Sequence, residues 1–590
     1  FVPLRPNLLL PCASGCSFRR QEAMAPQGIK EVEYAVNEEP DDGVLSSGPP
    51  QMLTVLLSGE DKRRCLGLPL RDGLVVTLVS GVGLLTDLFD FSVINIAKLL
   101  LEEEYGTMSA TTEGLLTAAA LFGAVFGQLL FGTLADRLGR RNTFLASAAL
   151  TMLGALGSAL AFPVAGSGDQ SIFAVLTAWR FVMGVGIGGE YPLSAANTAE
   201  GVDHRSSGQS LAAVYSMMGV GLVLAPLLFV VLLGAGVSYE ATWRLGFAAG
   251  ALLSFGGLVL RSRELRETEA FQEERRLRQE AARRHEAEET TDWNKWMLPL
   301  IGTSVTWFLY DIVHYGLGLY SSEILGHNSD PFESAAAVLG VNAIAMPAFF
   351  MGIYFVKDNV LGRRDSQTLG FLGMMVIFFI IVVTKGSVWT ETRDDEDRDE
   401  LNWPYGYSYW VFLILYTVQL IFDAAGPGMS TYVIPGEIYP TRIRGTAHGF
   451  SAACGKLGAV LGSFAIPAMR DAINVESVMI LCIFVTAPAA LITIMLTPGY
   501  ANADLGLLRQ VSHDGDDKAI ALLYNGSIIR ERVCEEYRLP KQPVSRWFRE
   551  ATMAFLALSP LSKPSLAVKE YLEQTIAESM NISEGDGFEK

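Results

Sequence analysis

The sequence predicts an all-α membrane protein with about twelve transmembrane helices, arranged as two pseudo-symmetric six-helix bundles. Three observations carry this: the composition, the number of long apolar runs, and a duplicated set of charged loop motifs. Of the 590 residues, 50% are hydrophobic, 18% are charged and 58 are glycine. Such charge-poor, glycine-rich sequence suits packed transmembrane helices, where small residues let backbones approach, and argues against a soluble enzyme.

A helix needs roughly 20 apolar residues to cross a bilayer core. Runs of that kind fall at 73–100, 112–134, 143–163, 171–195, 208–234, 242–261, 297–323, 333–356, 367–385, 407–429, 446–468 and 476–497. Loops after the even-numbered spans are basic: Arg137, Arg140 and Arg141; Arg205; Arg261, Arg263 and Arg266; Lys357, Arg363 and Arg364; Arg442 and Arg444. The alternate loops hold Glu102–Glu104, Asp169, Asp330 and the acidic run Asp394–Glu400. Positive charge stays on the cytoplasmic side, so the even loops and both termini are expected there, in a multi-pass protein of the plasma membrane.

The expected organisation is a disordered cytoplasmic tail over 1–72, bundles over 73–262 and 296–498, a charged cytoplasmic linker over 263–295, and a cytoplasmic tail over 499–590. The net charge of -18 sits mainly in the two tails and the 391–400 stretch. These read as solvated segments, and no nucleic-acid partner is expected. Cys12 and Cys16 lack a second pair or nearby histidines, so neither metal nor cofactor is expected. Met24 is a plausible start, and the sequons at Asn525 and Asn581 are expected to stay unglycosylated on the cytoplasmic side.

The halves echo each other. Gly132-x3-Asp136-Arg137-x-Gly139-Arg140-Arg141 follows span two, and Gly352-x5-Asp358 with Gly362-Arg363-Arg364 follows span eight. Glu200, Arg205 and Gly208 after span four match Glu437, Arg442 and Gly445 after span ten at the same spacings. Such a repeat marks duplicated transporters. Acid, arginine and a tight glycine turn at helix ends form charge-assisted pairs in one state and break them in another, which is a gating latch.

At these residues the sequence resembles the major facilitator superfamily: Gly132–Arg141, Arg180-x3-Gly184-x-Gly186 and Pro435-x-Glu437-x2-Pro440 match its motifs. Gly184–Ser194, together with Thr441–Gly449 and Ser451–Lys456, is similar to signatures of the proton-coupled inorganic phosphate symporters of fungi and plants. The resemblance runs from about Gly81 to Pro498.

Ionisable residues inside spans are costly and by default functional candidates. Asp87 and Asp90 lie three apart on span one and suit a carboxylate that loads and unloads a proton. The resemblance ties the first of them to proton movement. It also places an aspartate where Glu190 stands, and implies phosphate contacts for Tyr191, Trp307, Asp311 and Tyr315. Lys456, the lone cation at membrane depth, matches a family lysine and is expected at the substrate site, balancing the carboxylates or attracting the anion. Glu190 and Tyr191 are expected at a glycine-rich break in span four. Trp307, Asp311 and Tyr315 are spaced four apart and line one face of span seven. Protonated, Asp311 donates a hydrogen bond; ionised, it repels an anion, so proton loading and substrate affinity are coupled. His314 is read as structural, and Arg180 as structural or proton-linked.

Two phosphate ligands of that family are absent. A glutamine is replaced by Met218 and an asparagine by Gly428, the latter expected to enlarge the cavity. The expected function is proton-coupled symport of inorganic phosphate by alternating access, with sodium coupling left open. The alternatives are a larger organophosphate, another organic anion or a sugar-like polyol as substrate, or a non-transporting nutrient sensor. The chain has no Walker-type phosphate loop, so neither ATP-driven transport nor an enzyme is expected.

Overall fold

The computed structural model describes residues 62–65, 68–202, 206–284, 293–319, 321, 330–357, 360–388, 407–472 and 475–497. Both tails apart from 62–72, the acidic run at 394–400, Arg205 and Asp358 lie outside the described residues. A short antiparallel hairpin comes first, β1 (Lys62–Cys65) and β2 (Leu68–Arg71), with Lys62 opposite Arg71. The last residues of the segment expected to be disordered are therefore paired strands.

The first six spans are α1 (Asp72–Tyr105), α2 (Ala110–Leu138), α3 (Arg140–Ala159), α4 (Ser171–Gly201), α5 (Ser207–Gly234) and α6 (Tyr239–Glu264). The charged linker carries α7 (Glu269–Arg283). The second set is α8 (Trp293–Gly318), α9 (Pro331–Phe355), α10 (Arg363–Val388), a broken tenth span, α13 (Arg444–Ala472) and α14 (Val475–Leu496). The broken span is α11 (Tyr407–Asp423), a π-helical turn at Ala424–Gly428 that contains Pro427, and α12 (Met429–Ile438). Helix starts follow local chemistry. The Ser109 and Ser238 side chains accept the N–H groups of Thr112 and Ala241, and Asp330 caps α9 just before Pro331.

Among the described residues, eleven helices are long and apolar enough to cross a bilayer. The remaining expected span, α13, has 29 residues but carries His448, Lys456 and several glycines and serines. His448, Ser451, Lys456 and Ser463 face inward on this helix, which packs against α8 and α2, with His448 at 0% and Lys456 at 1% exposure. Its low apolarity is thus that of an interior wall. The bundle has the inside-out polarity of a membrane protein: Phe126, Leu252, Phe379 and Phe484 face outward while Arg140, Arg180 and Arg261 are fully buried.

The first six spans pack mainly on one another, as do α8–α14; the two sets meet where α2 packs on α13 and α5 on α9. The α2–α13 contact is backbone to backbone. A Cβ on Gly132 would stand 2.5 Å from the Gly445 carbonyl, and one on Gly449 would collide with the Gln128 carbonyl. The glycine-rich stretch of α4 does the same work. It does not break the span: α4 is continuous through Pro192. Cβ atoms on Gly184 and Gly188 would collide with carbonyls of Ala120 and Ala124 on α2.

The internal repeat is visible in the backbone. Gly139 (φ 107) and Gly362 (φ 79) adopt left-handed conformations just before α3 and α10. Each of those helices then opens with an arginine, Arg140 or Arg363, that forks onto a glutamate at the end of the following span, Glu200 or Glu437.

Candidate functional site

The α8 face read from the sequence meets α4 and α13 at the junction of the two sets of helices. Lys456 Nζ donates to Asp311 Oδ2 at 2.9 Å and to the Tyr315 hydroxyl at 3.1 Å. Tyr315 and Tyr191 hydroxyls are 3.3 Å apart, and the ammonium lies 4.1 Å and 4.8 Å from their ring centroids. Trp307 is tilted against Tyr191 and fills the space that Gly455 leaves open. All five predicted substrate-binding side chains are therefore in one buried cluster. Lys456 and Asp311 are each 1% exposed, so the pair is desolvated and charge-balanced.

The carboxylates of the first set separate. Glu190 receives a bidentate pair from Arg261, at 2.7 and 2.6 Å. Arg261, read as a loop charge after span six, is instead buried in α6 at 1% exposure, with its guanidinium 4.0 Å over the Phe144 ring. Positive charge near a helix end is not always on the surface when an acid lies within reach. Asp87 and Asp90 are both fully buried, and neither carboxylate has a hydrogen bond. Glu190, Arg261 and Lys456 act electrostatically on Asp87, and Arg180 on Asp90. Arg180 is itself buried, without a hydrogen bond to its guanidinium.

Beside this cluster is a cavity of about 70 Å³ between α1, α5, α8, α9 and α11. That volume suits several waters or a small tetrahedral anion. His314 and Tyr315 line it, as does Asp423, which the sequence did not single out. His314 Nδ1 is 2.9 Å from Asp423 Oδ2, and Tyr310 donates to the same oxygen at 3.2 Å.

Gly428 does not enlarge the cavity. A Cβ there would lie 2.8 Å from the Tyr310 hydroxyl and 2.9 Å from the Tyr215 hydroxyl, so two phenols occupy the room. Met218 is 2% exposed, within the apolar core. Gly428→Asn therefore has to displace Tyr310 and Tyr215, and it is expected to destabilise the protein by about 1–3 kcal/mol, the usual cost of overpacking. Thermal unfolding of the purified variant checks this; an unchanged midpoint would show that the phenols move aside freely.

The latch motifs meet at one end of the bundle. Asp136 Oδ1 accepts from Arg140 at 2.7 Å and from the Gly445 N–H at 3.0 Å, and its Oδ2 accepts from the Thr446 N–H and hydroxyl, both at 2.7 Å. Arg140 also reaches the Thr441 carbonyl at 2.8 Å, and Arg444 donates to Glu200 at 2.9 Å. Both sets of helices are thus tied together here. Arg444, Thr441 and Thr446, absent from the predicted latch, make these crossings. Arg442 contributes its carbonyl to Arg278, and Arg137 is exposed. The linker joins in: Glu267 accepts the N–H groups of Arg140 and Arg141, and Thr268 donates to Glu200 at 2.7 Å. Arg141 braces Leu265 and Ser262.

Two helical sets around a buried charged cluster, clamped at one end, are the architecture of a secondary transporter. The chain belongs to the Major Facilitator Superfamily, whose sequence profile matches residues 81–391. Among curated proteins it is 30% identical over 441 residues to a probable inorganic phosphate transporter 1-8 of Arabidopsis thaliana, covering 65% of this chain and 79% of the relative. It is 29% identical over 453 residues to a low affinity inorganic phosphate transporter 4 of Medicago truncatula, covering 66% and 82%. Among solved structures, the MFS proton:xylose symporter XylE superposes with a TM-score of 0.62 at 19% identity, over 74% of this chain and 99% of that one. The human organic anion transporter MFSD10 superposes at 0.52 and 17% identity, over 71% and 99%. The protein is accordingly a multi-pass membrane transporter and not an enzyme.

Proposed function

We propose that the protein is a proton-coupled symporter of inorganic phosphate. It works by alternating access, with the bundle over 73–262 rocking against that over 296–498. The observation that carries this reading is the Lys456–Asp311 pair, buried at 2.9 Å with the Tyr315 hydroxyl on the same ammonium. One ammonium serves two competing anions, the carboxylate and the substrate. A proton on Asp311 releases Lys456 to the phosphate and turns the carboxyl into a donor. Asp87, buried without a partner, carries the proton within the first bundle, and Glu190 takes part through its pair with Arg261. The end clamped by Asp136, Arg140, Glu200 and Arg444 is the cytoplasmic gate, closed in this state. Both tails lie on that side of the plasma membrane.

The test is uptake of labelled phosphate into liposomes containing the purified protein, with and without an inward proton gradient. Gradient-driven accumulation is the expected result. Phosphate uptake that ignores the gradient would overturn the coupling. A second reading, a larger phosphate-bearing anion, is favoured by Met218 and Gly428 at the two amide positions. Glycerol 3-phosphate competing better than phosphate in the same assay would select it.

A further inference from the structure

We propose that His314 is an additional substrate-contacting residue: its imidazole, oriented by Asp423 and Tyr310, donates a hydrogen bond to the phosphoryl group of the transported anion and makes binding acid-dependent. The inference rests on the reading of this region as an anion site, and it adds a residue and a property to it.

The geometry begins with Asp423. Its Oδ2 and the Tyr310 hydroxyl each lie 2.9 Å from His314 Nδ1; a carboxylate accepts and Tyr310 donates to that same Oδ2, so the tautomer that serves all three groups has its proton on Nδ1. That leaves Nε2 as the variable nitrogen. It makes no hydrogen bond among the described residues. The ring lines the cavity, with the side chain 13% exposed where Asp423 is 2% exposed. A merely structural histidine would spend both nitrogens on protein partners or pack against apolar neighbours. This one spends one nitrogen on an acid and turns toward the cavity. Asp423 Oδ1 is buried without a hydrogen bond from the described residues.

The position is appropriate. The His314 and Tyr315 rings are 5.0 Å apart, and the Tyr315 hydroxyl is already on Lys456. The same cluster extends through Tyr310 to the space beside Gly428. Gly428 offers no side-chain donor to that space, and His314 stands on the same network through Tyr310. With its proton, His314 is a cation and donates from Nε2; without it, Nε2 offers a lone pair and repels oxyanion oxygens.

The charged and titratable groups that face His314 come from three directions. Asp311, Tyr310 and Tyr315 share its helix; Asp423 and Tyr416 come from α11; Lys456 comes from α13. Tyr215 of α5 joins through Tyr310. The α1 and α9 walls add only Ser92, Asn95 and Asn342, which do not titrate. With both carboxylates ionised and Lys456 charged, the cluster has one negative charge in excess. A proton on His314 cancels it.

The experiment measures binding of inorganic phosphate, and separately of glycerol 3-phosphate, to the full-length purified protein at about pH 5.5 and about pH 8, either side of a free histidine's midpoint. The proteins are wild type, His314→Gln, His314→Phe and Asp423→Asn. His314→Phe is expected to weaken binding about tenfold at the acid pH and little at the alkaline one. His314→Gln keeps a donor at both, so its ratio to wild type changes between them; titration of phosphate itself is common to all four and cancels. Asp423→Asn is expected to move the pH profile of wild type without removing it. Should His314→Phe fail to fold, the His314→Gln profile decides. A His314→Gln profile parallel to wild type, or wild-type affinity for His314→Phe at both pH values, would overturn the role of His314 while leaving the phosphate reading intact. If wild type binds neither probe, the anion site itself falls and His314 with it.

Discussion

Asp311→Asn is expected to abolish proton-driven accumulation while leaving phosphate binding and phosphate exchange in place. Asparagine is close in shape to a protonated aspartate and cannot release a proton. Lys456 then loses its only carboxylate partner among the described residues, 2.9 Å away, and keeps the Tyr315 hydroxyl and two aromatic faces. A buried ammonium without a counter-ion favours an incoming anion, so affinity is held or improved. What is lost is the link between the proton and the substrate. A coupling free energy of about 1–3 kcal/mol corresponds to about 5–150-fold in affinity, and that dependence of phosphate affinity on the proton is what the variant should lose. Counterflow of labelled phosphate against unlabelled phosphate checks that the variant still cycles. Gradient-driven accumulation at the wild-type level by Asp311→Asn would remove Asp311 from the coupling. A variant that neither exchanges nor binds phosphate would move Asp311 from the proton path to the structural frame.

The helices and the α8 part of the buried cluster were legible in the sequence because they depend on features with a fixed period or length. An apolar run is long enough to span a bilayer or it is not, and residues four apart on α8 share a face in any helix. That reasoning found Trp307, Asp311 and Tyr315, and the resemblance supplied Lys456 and Tyr191. Pairings across helices have no such period. Arg261 read as one more basic residue at a helix end, and only the tertiary packing brings Glu190 into its fork. Gly428 read as lost volume, because nothing in the sequence says that the Tyr310 and Tyr215 hydroxyls point into it. The contact between His314 and Asp423 was not legible, because the two lie more than a hundred residues apart and Asp423 sits next to a π-helical turn that the span pattern does not reveal. The latch was half legible. Its acids and Arg140 are in the repeat, but the groups that cross between bundles, Arg444 and the Gly445 and Thr446 amides, follow from how α2 and α13 abut.

Those crossings bear on the transport cycle. Asp136 satisfies both oxygens with donors from its own bundle and from α13, and Glu200 is shared between Arg140 and Arg444. Opening this end must break contacts to α13 while the Arg140–Asp136 and Arg140–Glu200 pairs, internal to the first bundle, persist. The linker holds the same residue from outside, Glu267 by accepting its backbone N–H and the Phe271 ring at 4.9 Å from its guanidinium. On the proposed reading of this end as the gate, opening it exchanges the α13 donors of Asp136 and Glu200 for others while Arg140 stays on both acids.

The largest effect on stability is expected at Arg261. Arg261→Met removes both hydrogen bonds to Glu190, at 2.7 and 2.6 Å, and leaves a carboxylate that is 2% exposed with only Ser147 at 3.4 Å. Removing one partner of a buried pair costs about 3–5 kcal/mol, mainly because the remaining charge is desolvated and unpaired. Among the described residues only Ser147 and Arg261 bond Glu190, and Gly83, which faces the pair from α1, has no side chain to replace the guanidinium. Arg261→Lys keeps the charge but not the planar fork and should fall between Met and wild type. The double variant Glu190→Gln with Arg261→Met removes both charges and should recover much of the lost stability. Thermal unfolding in detergent and proton-driven uptake are then read on the same preparations. Recovered stability without recovered uptake would make the pair part of the transport machinery, since the fold would have been restored and the function not. Recovery of both would make it scaffolding, with Asp87 left as the proton carrier of the first bundle. A wild-type melting temperature for Arg261→Met alone would mean that Glu190 had already found another partner or a proton, and the bidentate pair would lose its claim to hold α4 against α6.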